Sequence, residues 1–145
     1  MTSAKVNEAV LSQRMQWVRD MLKAIGDLPL RTRKDFLRDR HHAAAAESYL
    51  RRALEALFDM GRHILSKKFA SPATEYKEIA QGLLERKVLS EKEADLLRDM
   101  AGYRNRMVHF YHDIGPQELY EICRNHLDDV RAVLKGFVRW IRKNR

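Results

Sequence analysis

The sequence predicts an all-α protein built as an antiparallel helical bundle. Two observations carry this. Apolar residues recur at spacings of three and four along most of the 145 positions, and breakers are few, with six Gly and three Pro. The length fits one domain, residues 1–145, large enough to close a hydrophobic core without staples.

Five helical segments follow in order. The first runs from about Val6 to Ile25, with Leu11, Met15, Val18, Leu22 and Ile25 on one stripe. "GDLPL" ends it, Gly26 suiting a left-handed C-cap and Pro29 blocking continuation. The second is long, from about Lys34 to Lys68. Ala43, Ala46, Leu50, Ala53, Leu57, Met60 and Ile64 form an unbroken seam whose alanines imply close helix approach. "SPATE" stops it, and Ser71, Pro72 and Glu75 resemble a helix start.

The third segment spans about Thr74 to Glu85, with Tyr76, Ile79, Ala80 and Leu83 inward. "KVLS" follows. Ser90 caps the fourth helix, whose positive end is favoured by Glu91 and Glu93. It carries Ala94, Leu96, Leu97 and Met100 and runs into "RNRMVHFY". "HDIGP" ends it, and Pro116 opens the fifth helix, with Leu119, Ile122, Cys123, Leu127, Val130, Leu134, Phe137 and Ile141 inward. Short connections between such helices make antiparallel neighbours. The long second helix also offers a seam for a second chain.

Composition narrows the function. A single cysteine, Cys123, excludes an internal disulfide and reads as a small buried hydrophobe. No H-x-x-x-H with a carboxylate occurs, so neither a metal site nor a cofactor is expected. The sequence holds no run of about 18 apolar residues and no secretory h-region, which places the expected protein in the cytoplasm. Net charge is +8 and the pI about 9.8, with basic clusters at "RTRKDFLRDRHH" and "RWIRKNR". Such a surface attracts polyanions. Arg31, Arg33, Lys34 and Arg38 are either phosphate contacts or a charged helix start, and His41 and His42 read as surface residues.

The fourth helix carries the anomaly. At about 100° per residue, Leu97, Met100, Val108 and Tyr111 fall within about 40° of Arg104, which puts an arginine in the middle of the apolar arc. A guanidinium there needs a partner. His109 lies about 140° away, with Asn105 and His112 on its side. Arg104 and His109 therefore share a site only if the arginine wraps around, the helix end distorts, or two chains contribute. The residue types suit RNA cleavage. Imidazole moves protons near neutral pH, and arginine stabilises charge on phosphoryl oxygens. The competing reading is an interior arginine paired with a carboxylate and a histidine lodged at a helix end. On the second helix, Asp59 and His63 are four apart, with Glu55 one turn earlier. Asp59 either orients an active-site group or forms an ordinary ion pair.

"YRNRMVHFYHDI" resembles the R-x-x-x-x-H-x-Y signature of the HepT-like branch of the HEPN superfamily, matched here by Arg104, Asn105, His109 and Tyr111. The resemblance extends over "LEALFDMGRHILSKK", "ATEYKEIAQGLLERKVLS" and "DIGPQELYEI". It implies a HEPN-like bundle of four to five helices that dimerises and brings two motifs into one cleft. It implies a metal-independent endoribonuclease toxin with Arg104, His109 and Asn105 catalytic. It further implies an MntA-type nucleotidyltransferase antitoxin that silences the toxin by transferring AMP to Tyr111. Asp59 and His112 are possible supporting residues. The alternative is a non-catalytic HEPN subunit that partners a nucleotidyltransferase and only holds RNA or nucleotide.

Overall fold

A computed structural model describes residues 5–109 and 114–144. The described residues form helices α1 (Glu8–Gly26), α2 (Arg33–Leu37), α3 (Arg40–Phe69), α4 (Tyr76–Glu85), α5 (Glu91–Val108), α6 (Pro116–Asn125) and α7 (Leu127–Lys143), with no strand among them. The class is all-α, as the periodicity predicts. Two of the five expected helices are each split in two.

The expected second helix breaks at Asp39. That residue is extended (φ −127°, ψ 120°), and its carboxylate accepts the N–H of His41 at 2.8 Å. Thr32 does the same for α2, accepting from the N–H of Asp35 at 3.1 Å. Two capping side chains seven residues apart start two helices, and local capping outweighs the continuous 3.6 period. The expected fifth helix breaks at His126 (φ −121°, ψ 6°), so Pro116 opens only the ten-residue α6. All eight of its expected inward residues are nonetheless buried.

Two expected caps also differ. Gly26 is the last residue of α1 and no glycine among the described residues has positive φ; the C-cap is Asp27. Left-handed backbone falls instead at Ala70 (φ 49°) and Lys87 (φ 60°). Ser71 does not start α4: its N–H donates to the Leu65 carbonyl at 2.9 Å and closes α3. The N-cap of α4 is Glu75, without a side-chain bond. Ser90 behaves as expected in a reciprocal capping box, accepting from the N–H of Glu93 (3.2 Å) and donating its own to the Glu93 carboxylate (2.9 Å).

Helix α3 is the axis of the bundle, and α1, α2, α4, α5 and α6 all pack on it, with α7 laid along α5. Phe36, Phe58 and Phe137 lie at the centre, fully buried. Two glycines set the closest approaches. A Cβ at Gly61 would come within 2.8 Å of Ile79 Cγ2 and Leu83 Cδ1, so α4 sits directly on the α3 backbone. A Cβ at Gly136 would meet the Glu93 carboxylate at 2.7 Å and Leu89 at 2.9 Å, which fixes α7 against α5. The α3–α4 contact matters most, because it places the first residue of α4, Tyr76, over α3 beside Arg104. No described helix is long and apolar enough to cross a membrane.

Candidate active site around Arg104

Arg104 lies on the inner side of α5, as its place on the apolar arc requires, and three neighbours receive it. The guanidinium carbon is 4.4 Å from the centroid of the Tyr76 ring. That ring is stacked on Phe58 of α3, with centroids 4.4 Å apart and planes at 9°. Nη2 of Arg104 donates to Glu55 Oε2 at 3.3 Å, and Nη1 reaches Asn105 Oδ1 at 3.5 Å. Its Nε is buried without a hydrogen-bond partner. The side chain keeps 26 % of its surface exposed. Arg104 is thus flat on an aromatic face, partly neutralised by one long ion pair, and not fully satisfied. The desolvated Nε carries a real cost, and two of its polar contacts are near the long limit of a hydrogen bond.

Glu55 also takes Arg51 at 3.2 Å. One turn on, Asp59 pairs with Arg14 of α1 (3.6 Å) and with Arg62 (3.3 Å). The Arg62 guanidinium shares the Tyr76 ring, 5.8 Å from its centroid. His63 does not bond Asp59. Its Nε2 accepts the N–H of Asn7 at 2.9 Å, so it closes the start of α1, where the Asn7 side chain itself accepts from Ala9 and Val10. Burial, with Lys67 and Arg14 nearby, lowers the His63 pKa from its ordinary 6.5. This suits a ring nitrogen that must accept.

The helix ends at the motif. His109 is the C-cap of α5, with extended backbone (φ −90°, ψ 121°), and its N–H donates to the Asn105 carbonyl at 3.0 Å. His109 is exposed, as is Val108 at 42 %, which the wheel put on the apolar arc. Helix α5 ends at Val108, and His109 leaves the helical backbone. No hydrogen bond joins Arg104 to His109 among the described residues. Tyr111 and His112 lie outside the described residues.

Residues on either side of the segment after His109 are joined directly. Arg106 of α5 and Glu118 of α6 form a bidentate pair, Nη1 to Oε2 at 2.5 Å and Nη2 to Oε1 at 2.6 Å. The arginine beside it holds the Glu118 carboxyl below the usual carboxylate range. Met107 and Ile114, before and after the segment, are both buried.

Three contributors escape a sequence reading focused on the motif. Tyr76 looks like one more inward apolar residue, Glu55 like one of several surface carboxylates, and Trp17 carries no motif. Trp17 is 43 % exposed and, with Gln13, Arg14, Arg52 and Asp59, lines a hollow of about 240 Å³ that includes Glu55. An arginine on the apolar arc was the signal for Glu55, since such a charge demands a carboxylate. Nothing local signals Trp17. Cys123 is buried and its thiol is pushed up to about 12 by desolvation, which makes it inert, as read from its position.

Comparison with known proteins follows the same line. The family described as "Ribonuclease HepT-like" matches residues 18–136, a span that includes Arg104, His109 and Tyr111. Among solved structures, a tri-AMPylated Shewanella oneidensis HEPN toxin in complex with its MNT antitoxin superposes with a TM-score of 0.81 at 18% identity, covering 90% of this chain and 97% of that one. A toxin–antitoxin complex with AMP-PNP gives 0.80 at 18% identity, covering 90% and 98%. YutE from Bacillus subtilis, a cytosolic protein of unknown function, gives 0.77 at 19% identity, covering 95% and 92%. No curated protein sequence matches the chain. The all-α fold is therefore shared with HEPN toxins, and with the family match covering most of its length, this chain belongs to the HepT-like family.

Proposed function

We propose that this protein is a metal-independent endoribonuclease toxin whose site is composed of Arg104 from one chain and His109 from a second. The observation that carries the reading is the state of Arg104. A cation held on an aromatic face, with an unpartnered Nε and one long carboxylate contact, is poised to exchange that contact for a phosphate. Phosphate offers a guanidinium two short, charge-assisted bonds where Glu55 gives one at 3.3 Å. His109 is exposed at the helix end and makes no hydrogen bond to its own Arg104 among the described residues, which suits a contribution to the neighbouring chain.

In this reading His109 removes the proton from a ribose 2′-OH. The 2′-oxygen attacks the adjacent phosphorus, the bond to the 5′-oxygen breaks, and the imidazolium returns the proton to that leaving oxygen. Products are a 2′,3′-cyclic phosphate and a 5′-hydroxyl. Arg104 stabilises charge on the non-bridging oxygens, and Asn105, beside Arg104 at 3.5 Å, keeps the guanidinium oriented. No step requires a metal.

Silencing would act on the same site. The Arg106–Glu118 pair joins α5 to α6 on either side of the sequence that contains Tyr111, and Met107 and Ile114 flank it, buried. AMP transferred from ATP to Tyr111 by an MntA-type nucleotidyltransferase places a phosphate where substrate phosphate should bind. The solved complexes of HEPN toxin with MNT antitoxin support this partner.

The test is RNA cleavage in EDTA by protein whose intact mass excludes prior adenylylation, beside His109→Ala and Arg104→Ala prepared identically. Cleavage that survives EDTA and is lost in both variants is the expected result. Equal cleavage by the variants, or none from unmodified protein across varied RNAs, rejects the reading in favour of a non-catalytic subunit that only holds RNA or nucleotide.

A further inference from the structure

A groove of about 920 Å³ lies between α1 and α7. Arg19 and Lys23 line it from α1, and Lys135, Arg142 and Lys143 from α7; all five are exposed, and none makes an ion pair among the described residues. Arg131 and Arg139 complete the α7 side, held by Asp128 at 2.9 Å and Glu93 at 2.6 Å. No acidic residue lines the groove. Between these rims lie Leu22 and Leu134, only 5% and 6% exposed, with half-buried Val138.

This is not the Arg104 site. At about 100° per residue, Arg19 and Lys23 project from one flank of α1 while Gln13 and Trp17, which face Glu55, project from the other. Nor is the basicity diffuse. Arg131, Lys135, Arg139 and Arg142 repeat at four, four and three residues, so they form one stripe on α7. From Arg131 to Arg142 that stripe runs about 16 Å at about 1.5 Å per residue. Its length suits a chain of charges and exceeds what one small anion needs.

We propose that the α1–α7 groove is a single-stranded RNA track, holding the phosphate backbone on its cationic rims while riboses and bases lie over Leu22, Leu134 and Val138. A membrane surface fits less well, because the apolar groups are recessed and none protrudes to insert. The choice of RNA rests on the ribonuclease reading. The groove would hold substrate away from the point of cleavage, so that the toxin recognises more of an RNA than the phosphate it cuts.

The test measures binding alone. Fluorescence anisotropy with a labelled single-stranded oligouridylate is recorded across a salt series, in His109→Ala protein so that the RNA stays intact. The parent is compared with Lys135→Glu/Arg142→Glu, with the neutral Lys135→Gln/Arg142→Gln, and with a charge-matched control, Lys77→Glu/Lys87→Glu. Far-ultraviolet circular dichroism checks that each is folded. The expected result is at least about tenfold weaker binding for the groove reversal. For two lost phosphate contacts, the log–log salt slope falls by about 1.4, at about 0.7 per phosphate on a single strand. The neutral pair shows a smaller loss in the same direction, and the control is unchanged. Equal losses in groove and control variants, binding by the groove reversal equal to the parent, or no RNA binding by the parent each overturn the proposal. So does a groove that proves to hold anionic vesicles or an acidic peptide in preference to RNA. Absence of cleavage in wild-type protein would remove the ribonuclease reading but leave this binding comparison intact.

Discussion

Arg104 and Tyr76 form a cation–π pair at 4.4 Å, and Phe58 supports the ring from behind, so three helices meet in one stack of guanidinium and two aromatic rings. The stack explains how a charged side chain stays on the apolar side of α5. A cation on a ring face is worth about 0.5–2 kcal/mol depending on desolvation, and a well-placed ring pair about 0.5–1.5 kcal/mol beyond its buried area.

Replacing the ring separates packing from function. Tyr76→Phe keeps both contacts and should leave thermal stability and RNA cleavage within about twofold of the parent, since the ring face and not the hydroxyl carries the interaction. Tyr76→Leu should lower stability by about 1–3 kcal/mol and lower kcat more than it raises KM. Denaturant melts and steady-state cleavage check both. An unaltered Tyr76→Leu enzyme would show that Arg104 is positioned by something else.

Glu55 is the group that phosphate must displace. In Glu55→Gln the partly exposed 3.3 Å ion pair is lost, and stability should change by no more than about 1 kcal/mol. KM for RNA should fall by about threefold, as expected from removing a competitor worth somewhat under 1 kcal/mol. A rise in KM would mean that Glu55 presents Arg104 to substrate.

The pH dependence of stability has two windows. Glu118 has its pKa lowered by Arg106, so the stability it contributes is present above its unfolded value of 4.5 and is lost as pH falls through the lower folded value. His63 also has a lowered pKa, chiefly through burial. Unfolded chains then bind its proton more readily, and stability is lost as pH falls from about 6.5 toward the folded value. Melting temperature should decline on acidification in both windows. Glu118→Gln should make the acidic window shallower, the remainder belonging to Glu93 and Asp39, whose carboxyls are also lowered, and His63→Gln should flatten the upper one. Parallel curves for variant and parent would contradict the assignment.

Gly61 sets the distance between α3 and α4. Alanine there would place its methyl 2.8 Å from two buried side chains. Overpacking costs about 1–3 kcal/mol, against about 1 kcal/mol gained in helix propensity, so Gly61→Ala should be neutral to moderately destabilising. The sharper readout is activity. Displacing α4 moves Tyr76, and cleavage should fall more than the stability change explains. Full activity in Gly61→Ala would show that the site tolerates movement of α4.

Legibility in the sequence followed the range of each physical effect. Every residue that helical spacing put inward on the last expected helix is buried, because burial is periodic, although the stripe left out Tyr120, Val133 and Trp140, which are buried as well. It missed the breaks at Asp39 and His126, because a cap is one residue acting on one or two amides and leaves the apolar period almost undisturbed. The wheel identified Arg104 as misplaced and named three ways for Arg104 and His109 to meet; within one chain no hydrogen bond joins them among the described residues. Tyr76 and Glu55 were invisible as partners, since an α4 ring and an α3 carboxylate reach Arg104 only through tertiary packing. The α1–α7 groove was invisible for the same reason: its two cationic rims are more than a hundred residues apart in the chain.

The composite site is tested most directly by mixing two inactive chains. Arg104→Ala and His109→Ala are unfolded together, refolded, and assayed for RNA cleavage in EDTA. If Arg104 of one chain works with His109 of the other, half of a random isologous dimer population is mixed and each mixed dimer holds one intact site. Activity should therefore return to about a quarter of wild type. A mixture no more active than either variant alone, in dimers shown to exchange, would contradict a site shared between two chains.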